Sequence, residues 1–338
     1  PPEYNGVKMW NPDGSAFDGE QTENVERLIA EGGRRAPWNE MMPERLWEGA
    51  IDEHVHAILE EVGPVERRLV IDCGCGATGP VSPRLFRELG CDIVTLNANP
   101  DGRFPGRPSE PSEGNLGDLM ALCRAKGVMG IAHDGDGDRM VAVDEEGRYV
   151  SGDRLLALFA SLMKVKNMAA PVDASMVLDD IVGRSIERTR VGDMFVSEAL
   201  KKKGLPFGGE PSGTFIFPSV NYCPDGMLAG ACLIELLDGR SLKDMVGSLP
   251  AYPSMRDSFS FDQSRREEIG ARLSEEISSI EGDLTTVDGY RVDLGYGWLL
   301  VRLSGTEPKV RLTAEARQRE DLEKITDMAR VRVRKALD

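Results

Sequence analysis

Residues 128–150 read VMGIAHDGDGDRMVAVDEEGRYV, and the fold turns on how this stretch is taken. Asp134, Asp136 and Asp138 alternate with Gly135 and Gly137. In an extended segment such alternating side chains face the same way, so three carboxylates converge. The glycines let the backbone curl around a cation without steric penalty. An all-oxygen set of this kind suits Mg²⁺ or Ca²⁺ rather than zinc. An EF-hand is the rival, with Asp134, Asp136, Asp138 and Glu145 at loop positions 1, 3, 5 and 12. It fails because Arg139 stands where the turn demands Gly, and because the flanks read as strands, not helices. A solvated acidic turn is disfavoured as well, since three aligned carboxylates repel unless a cation lies among them.

Outward from this loop, strands alternate with helices. The apolar strand RLVIDCG (68–74), the helix VSPRLFRELG (81–90), the strand CDIVTLN (91–97), a Pro/Gly-rich loop, a helix to Lys126 and the strand VMGIAH precede the acidic loop. A second region holds the helix DRLLALFASLMK (153–164), a strand ASMVLDD (174–180), the helix VGDMFVSEALKKKG (191–204) and the helix GMLAGACLIELLDG (226–239). That alternation implies βαβ units: an α/β class of successive mixed or parallel αβα sandwich domains. From Ala251 the pattern changes to a strand, a long helix, the paired strands in LTTVDGYRVDLGYGWLLVRLS, the strand KVRLTAEA and a basic helix, which together read as a C-terminal α+β domain. The expected domains are 1–42, 43–148, 149–250 and 251–338. The first reads as a remnant, with a strand GVKMW and a helix TENVERLIAEGG, because about 40 residues with one strand cannot close a core alone.

Composition bounds the function. The chain of 338 residues carries 41 basic and 57 acidic side chains, a net charge of −16. Nucleic acid and anionic membrane are therefore poor partners, and no apolar run approaches a membrane span. The six cysteines are scattered without a zinc-like pair of pairs, so they read as reduced structural thiols of a cytoplasmic protein. His54 and His56 sit on an expected helix, where a solvated face is the favoured reading over metal ligation.

Three further segments carry chemistry. In Arg302-Leu-Ser304-Gly305-Thr306-Glu-Pro-Lys309-Val-Arg311, small and hydroxylic residues after a strand expose backbone N–H groups able to accept a phosphate. The flanking Arg302 and Arg311 can add guanidinium forks. Gly208-Gly209-Glu210-Pro211-Ser212-Gly213-Thr214 places an acid and two hydroxyls on a tight loop, a clamp for sugar hydroxyls or equally a surface turn. The opening PPEYNGVKMW offers Lys8 beside a turn.

Taken in order, these segments resemble the α-D-phosphohexomutase superfamily, over the whole chain. Asp134 to Arg139 matches its metal loop, Glu210-Pro-Ser-Gly its sugar loop, and Arg302 to Arg311 its phosphate loop. PPEYNGVK is similar to the stretch that follows the superfamily's catalytic serine loop. The resemblance implies a phosphohexomutase that moves phosphate between C1 and C6 of a hexose phosphate, through phosphoserine and a hexose bisphosphate. The phosphomannomutase/phosphoglucomutase type leads, with phosphoglucosamine mutase as the alternative and a non-catalytic metal- and phosphosugar-binding protein as a reading of another class. It implies Mg²⁺ on Asp134, Asp136 and Asp138, with Lys8 and Arg139 as catalytic residues. Glu210, Ser212, Thr214, Asp193, Arg302, Ser304, Gly305, Thr306 and Arg311 would bind substrate. Thr214 stands where the superfamily usually has His. The serine would lie upstream of Pro1, so the chain as given is expected to be inactive. A monomer or homodimer is expected.

Overall fold

The computed structural model describes residues 6–33, 35–183, 185–305 and 307–338. The opening turn before Gly6, and Thr306, lie outside them. Residues 6–10 are exposed and form no strand; only Trp10 bridges Ala16. The expected strand GVKMW is thus absent, because no strand among the described residues completes its hydrogen bonds. Helix α1 (Gly19–Ala30) does form, started by a reciprocal cap between Asp18 and Gln21.

The first sheet is built by α2 (Ala50–Glu61), β1 (Arg68–Asp72), α3 (Ser82–Glu88), β2 (Asp92–Leu96), α4 (Gly117–Lys126), β3 (Gly130–His133), β4 (Met140–Val143) and β5 (Tyr149–Val150). Its strand order is β2-β1-β3-β4-β5, with β1 parallel to β2 and β3, then antiparallel pairs β3–β4 and β4–β5. Along β1 the side chains alternate as a strand requires. Leu69 and Ile71 join Ile58, Leu85 and Phe86 on one side, while Val70 meets Leu119 and Cys123 on the other. The sheet is covered on both faces, which is why β1 and β3 read as unbroken apolar runs.

The next elements are α5 (Gly152–Leu162), β6 (Met168–Pro171), α6 (Val177–Val182), β7 (Ile186–Thr189), α7 (Asp193–Lys203), β8 (Gly208–Gly209), β9 (Phe215–Ile216), α8 (Gly226–Leu237) and α9 (Leu242–Gly247). The second sheet runs β7-β6-β8-β9, parallel except for the β8–β9 hairpin. The strand expected at ASMVLDD is instead a turn and α6, with Val177 and Leu178 buried and Asp179 and Asp180 exposed. The strand here is the small-residue segment MAAP just before it. The first two sheets share one core. Gly230 of α8 lies against Phe86 and Ile131, and Phe159 of α5 packs with Phe207, Phe215 and Phe217.

The C-terminal part comprises β10 (Ser254–Ser260), α10 (Arg266–Ser278), β11 (Asp283–Thr285), β12 (Tyr290–Asp293), β13 (Gly297–Leu303), β14 (Lys309–Ala316) and α11 (Arg319–Leu337). All strands are antiparallel in the order β10-β14-β13-β12-β11. The expected strand pair over residues 284–304 is three strands, since the Gly289 and Gly295 turns divide it. Val310, Leu312, Ala314 and Ala316 pack on α10 and α11. The opposite face sets Trp298 and Leu300 against Val172 and Met176 of the second sheet's unit. This α/β architecture with an α+β end agrees with the fold class expected from the sequence.

Candidate active site

The acidic loop joins the antiparallel strands β3 and β4, at the C-terminal end of a strand of the open sheet, where such folds present ligands. The loop is bent, not extended, and the bend makes the carboxylates converge: one oxygen from each of Asp134, Asp136 and Asp138 lies within 4.8 Å of the others. Gly137 adopts φ +84° with Thr78 pressed against it, so a side chain would strain the turn twice over. Asp134 is buried and holds the loop's shape. One of its oxygens accepts from the Gly137 and Arg139 amides (3.0 and 3.2 Å), the other from Arg139 Nε (2.7 Å). Burial, then the Asp138 charge, push its pKa up to about 7. Asp136 moves the other way: burial raises it, but the nearby Lys8 ammonium outweighs that. Lys8 pairs with Asp136 at 3.1 Å and with Asp138, and despite burial its pKa is raised by them. Oxygen donors of one sign gathered at this distance fit a hard divalent cation such as Mg²⁺.

Support for this loop comes from a residue the sequence reading passed over. Arg107 is almost wholly buried; it donates to Asp72 at 2.9 Å and to the His133 carbonyl at 2.5 Å, fixing the loop's base. His133 is fully buried, and burial pushes it down to about 4. His54 departs from the solvated-face expectation: half-buried, its Nε2 lies 2.6 Å from Asp225, the residue that caps α8. His56 is exposed as expected.

The Glu210–Thr214 segment is the turn of the β8–β9 hairpin, and it touches the acidic loop directly. Arg139 and Thr214 form an antiparallel bridge, and the Met140 amide donates to the Gly213 carbonyl at 2.9 Å. Ser212 and Thr214 hydroxyls lie 3.0 Å apart. Glu210 is buried, and one carboxylate oxygen accepts from the Gly192 amide at 2.7 Å. Burial raises its pKa to about 7, with Asp193 and Asp173 adding to the shift against the Gly192 contact.

The neighbouring Val191 amide donates to Asp288 at 3.1 Å, and Asp288 pairs with Arg302 at 3.0 Å. A run of contacts therefore links the acidic loop, the hairpin turn, the turn before α7 and the Arg302 loop. Arg302 and Arg311 stand directly opposite each other across β13 and β14, hence on one face. Glu307 pairs with Arg311 and Lys309 at 3.1 and 2.8 Å, offsetting one of their two charges. The Ser304 hydroxyl accepts from the Glu307 amide at 3.3 Å, and Gly305 meets open space. Beside them lies a cavity of about 390 Å³ whose lining adds Arg256 and Asp173. Neither was found from sequence. The only signal for Arg256 is the alternation of SMRDSFS, which puts it on the same face as Arg311.

Residues 50–147 match the phosphoglucomutase/phosphomannomutase α/β/α domain II, residues 151–252 its α/β/α domain III, and residues 263–331 its C-terminal domain. The chain belongs to the phosphoglucomutase/phosphomannomutase family. It is 45% identical over 342 residues, all of this chain and 78% of the relative, to the "Probable phosphoglucosamine mutase" of Methanocella arvoryzae. It is 37% identical, over 97% of this chain and 77% of the relative, to the "Phosphoglucosamine mutase" of Methanococcus maripaludis. A phosphoglucomutase/phosphomannomutase family protein from Burkholderia thailandensis superposes with a TM-score of 0.83 at 29% identity, covering 96% of this chain and 71% of that one. The chain is thus a phosphohexomutase, an isomerase-class phosphomutase. Among the described residues no helix is long and apolar enough to cross a membrane.

Proposed function

We propose that this phosphohexomutase acts on glucosamine phosphate, moving phosphate between C6 and C1 through a hexose bisphosphate and a phosphoserine carrier. The observation that carries this reading is the name of curated relatives at 37–45% identity, which are called phosphoglucosamine mutase or probable phosphoglucosamine mutase. It favours the amino-sugar alternative over the phosphomannomutase/phosphoglucomutase type. The parts that would do the work follow the expected units, 43–148, 149–250 and 251–338.

Asp134, Asp136 and Asp138 would hold one Mg²⁺, which neutralises charge on the phosphoryl group in transfer. Lys8 would balance the same carboxylates and assist proton transfer at the reacting oxygen. Arg139, already fixed by Asp134, would face the phosphoryl oxygens. Glu210 has one carboxylate oxygen committed to Gly192 and would offer the other, with Ser212, Thr214 and Asp193, to sugar hydroxyls. Arg302, Ser304, Gly305, Thr306 and Arg311 would grip the non-reacting phosphate, and that binding would orient the reacting end. Six free thiols suit a cytoplasmic setting.

Calorimetry with glucosamine, glucose and mannose 6-phosphates at fixed Mg²⁺ tests the reading. Glucosamine 6-phosphate should bind most tightly; tighter binding of either other sugar would refute it.

A further inference from the structure

The wall of the 390 Å³ cavity contains three groups of the wrong sign for a phosphate site, Asp173, Asp257 and Glu307. Of these, Asp257 pairs with Arg330, and Glu307 with Lys309 and Arg311. Arg256, Arg302, Lys309 and Arg311 supply four cations, yet Asp173, in the turn after β6, presents a carboxylate to the same space. Its Oδ1 is buried and has no hydrogen-bond partner among the described residues. No salt bridge joins it to the arginines, although Arg256 and Arg302 both influence its charge. Burial is the largest influence and raises its pKa, against those arginines and a hydrogen bond from its own backbone. Asp173 also acts on Glu210 of the hairpin turn. It therefore shares the cavity of the arginines that would take a phosphate and is near enough to influence the loop that would hold the sugar.

A carboxylate placed there repels an anionic ligand and has no ion-pair partner among the described residues. A ligand that brings its own positive charge removes both costs. We propose that Asp173 determines amino-sugar specificity, its carboxylate receiving the C2 ammonium of glucosamine phosphate while the arginines receive the phosphate. The proposal rests on the phosphoglucosamine reading. A hexose phosphate with a C2 hydroxyl would leave the carboxylate without a cation, and an N-acetylated one would offer it an amide in place of a cation.

The test is D173N, which keeps the size and removes the charge. Calorimetry on the whole chain at fixed Mg²⁺ compares glucosamine 6-phosphate, glucose 6-phosphate and N-acetylglucosamine 6-phosphate, with thermal unfolding as the check on folding. In the wild type, glucosamine 6-phosphate should bind roughly tenfold or more tightly than the other two, the scale of one charge-assisted hydrogen bond. In D173N the three affinities should converge, with glucose 6-phosphate unchanged or tighter. A preference that survives in D173N overturns the role of Asp173 and leaves the amino-sugar reading standing. A wild type without that preference, or without measurable binding of any of the three, overturns the amino-sugar reading and the proposal with it. Equal weakening of all three sugars in a folded D173N also overturns the proposal, by assigning Asp173 to the phosphate grip.

Discussion

Arg139 of the acidic loop and Thr214 of the hairpin turn face each other in an antiparallel bridge, 75 residues apart in the chain. The two loops are therefore one object, and strain in either is felt by the other. Gly213 is the weak point, at φ +99° with a β-carbon's position only 2.7 Å from the Met140 carbonyl. Gly213→Ala should cost roughly 1–3 kcal/mol of stability and weaken Mg²⁺ binding as well, although the residue touches no carboxylate. Denaturant unfolding and Mg²⁺ calorimetry on one preparation check both; a stable variant with intact Mg²⁺ affinity would contradict the coupling.

The three aspartates should separate by role. Asp136 has a side chain 60% exposed and ion-paired with Lys8, whereas Asp134 is 2% exposed and accepts three hydrogen bonds. Asp136→Asn should lower Mg²⁺ affinity by about tenfold while changing stability by less than about 0.5 kcal/mol. Asp134→Asn should lose Mg²⁺ affinity and also about 1.5–3 kcal/mol of stability, because hydrogen bonds to a charged group go with it. Equal melting temperatures for the two variants would count against this division.

Arg302→Ala should weaken phosphosugar binding by roughly 10- to 100-fold, the worth of a charge-assisted contact. Arg302→Lys should recover only part, since a lysine cannot bond Asp288 and a phosphate with one planar fork. Calorimetry with glucosamine 6-phosphate decides; full recovery in the lysine variant would show that charge alone suffices.

Glu210 makes stability depend on pH in a stated direction. Its carboxyl titrates near 7 in the folded chain against an ordinary value of 4.5, so between these values the folded state holds a proton that the unfolded state has lost. Its contribution to stability is therefore complete below about pH 4.5 and is lost as pH rises through about 7. Denaturant unfolding from pH 5 to 8 should show the wild type losing up to about 3 kcal/mol relative to Glu210→Gln over that interval. Parallel curves for the two proteins would refute the shift.

What could be read from the sequence was what lies close together along it. The acidic loop and its strand flanks fall within 23 residues, and Arg302 and Arg311 bracket one turn, so spacing alone proposed both. Asp173 and Arg256 reach the same cavity from segments 83 residues apart, and Arg107 supports a loop 26 residues downstream. Such meetings depend on strand order and register, which no local pattern encodes. The mistaken strand at ASMVLDD has a similar cause: short apolar runs carry no period long enough to tell strand from helix. There the small-residue β6 just upstream had taken the place in the sheet. His54 looked solvated on its own helix because Asp225 comes to it from 171 residues away.

Strand β14 sorts its residues by parity. Even positions 310, 312, 314 and 316 anchor the helical layer, whereas 311, 313 and 315 look toward the rest of the protein. Inheritance can thus tinker with ligand choice and with robustness on separate tracks, through alternate codons of a single stretch. The arrangement tolerates substitution but not slippage. One inserted codon would exchange the two sets at a stroke, driving Arg311 into the helical layer and Leu312 out into the cleft.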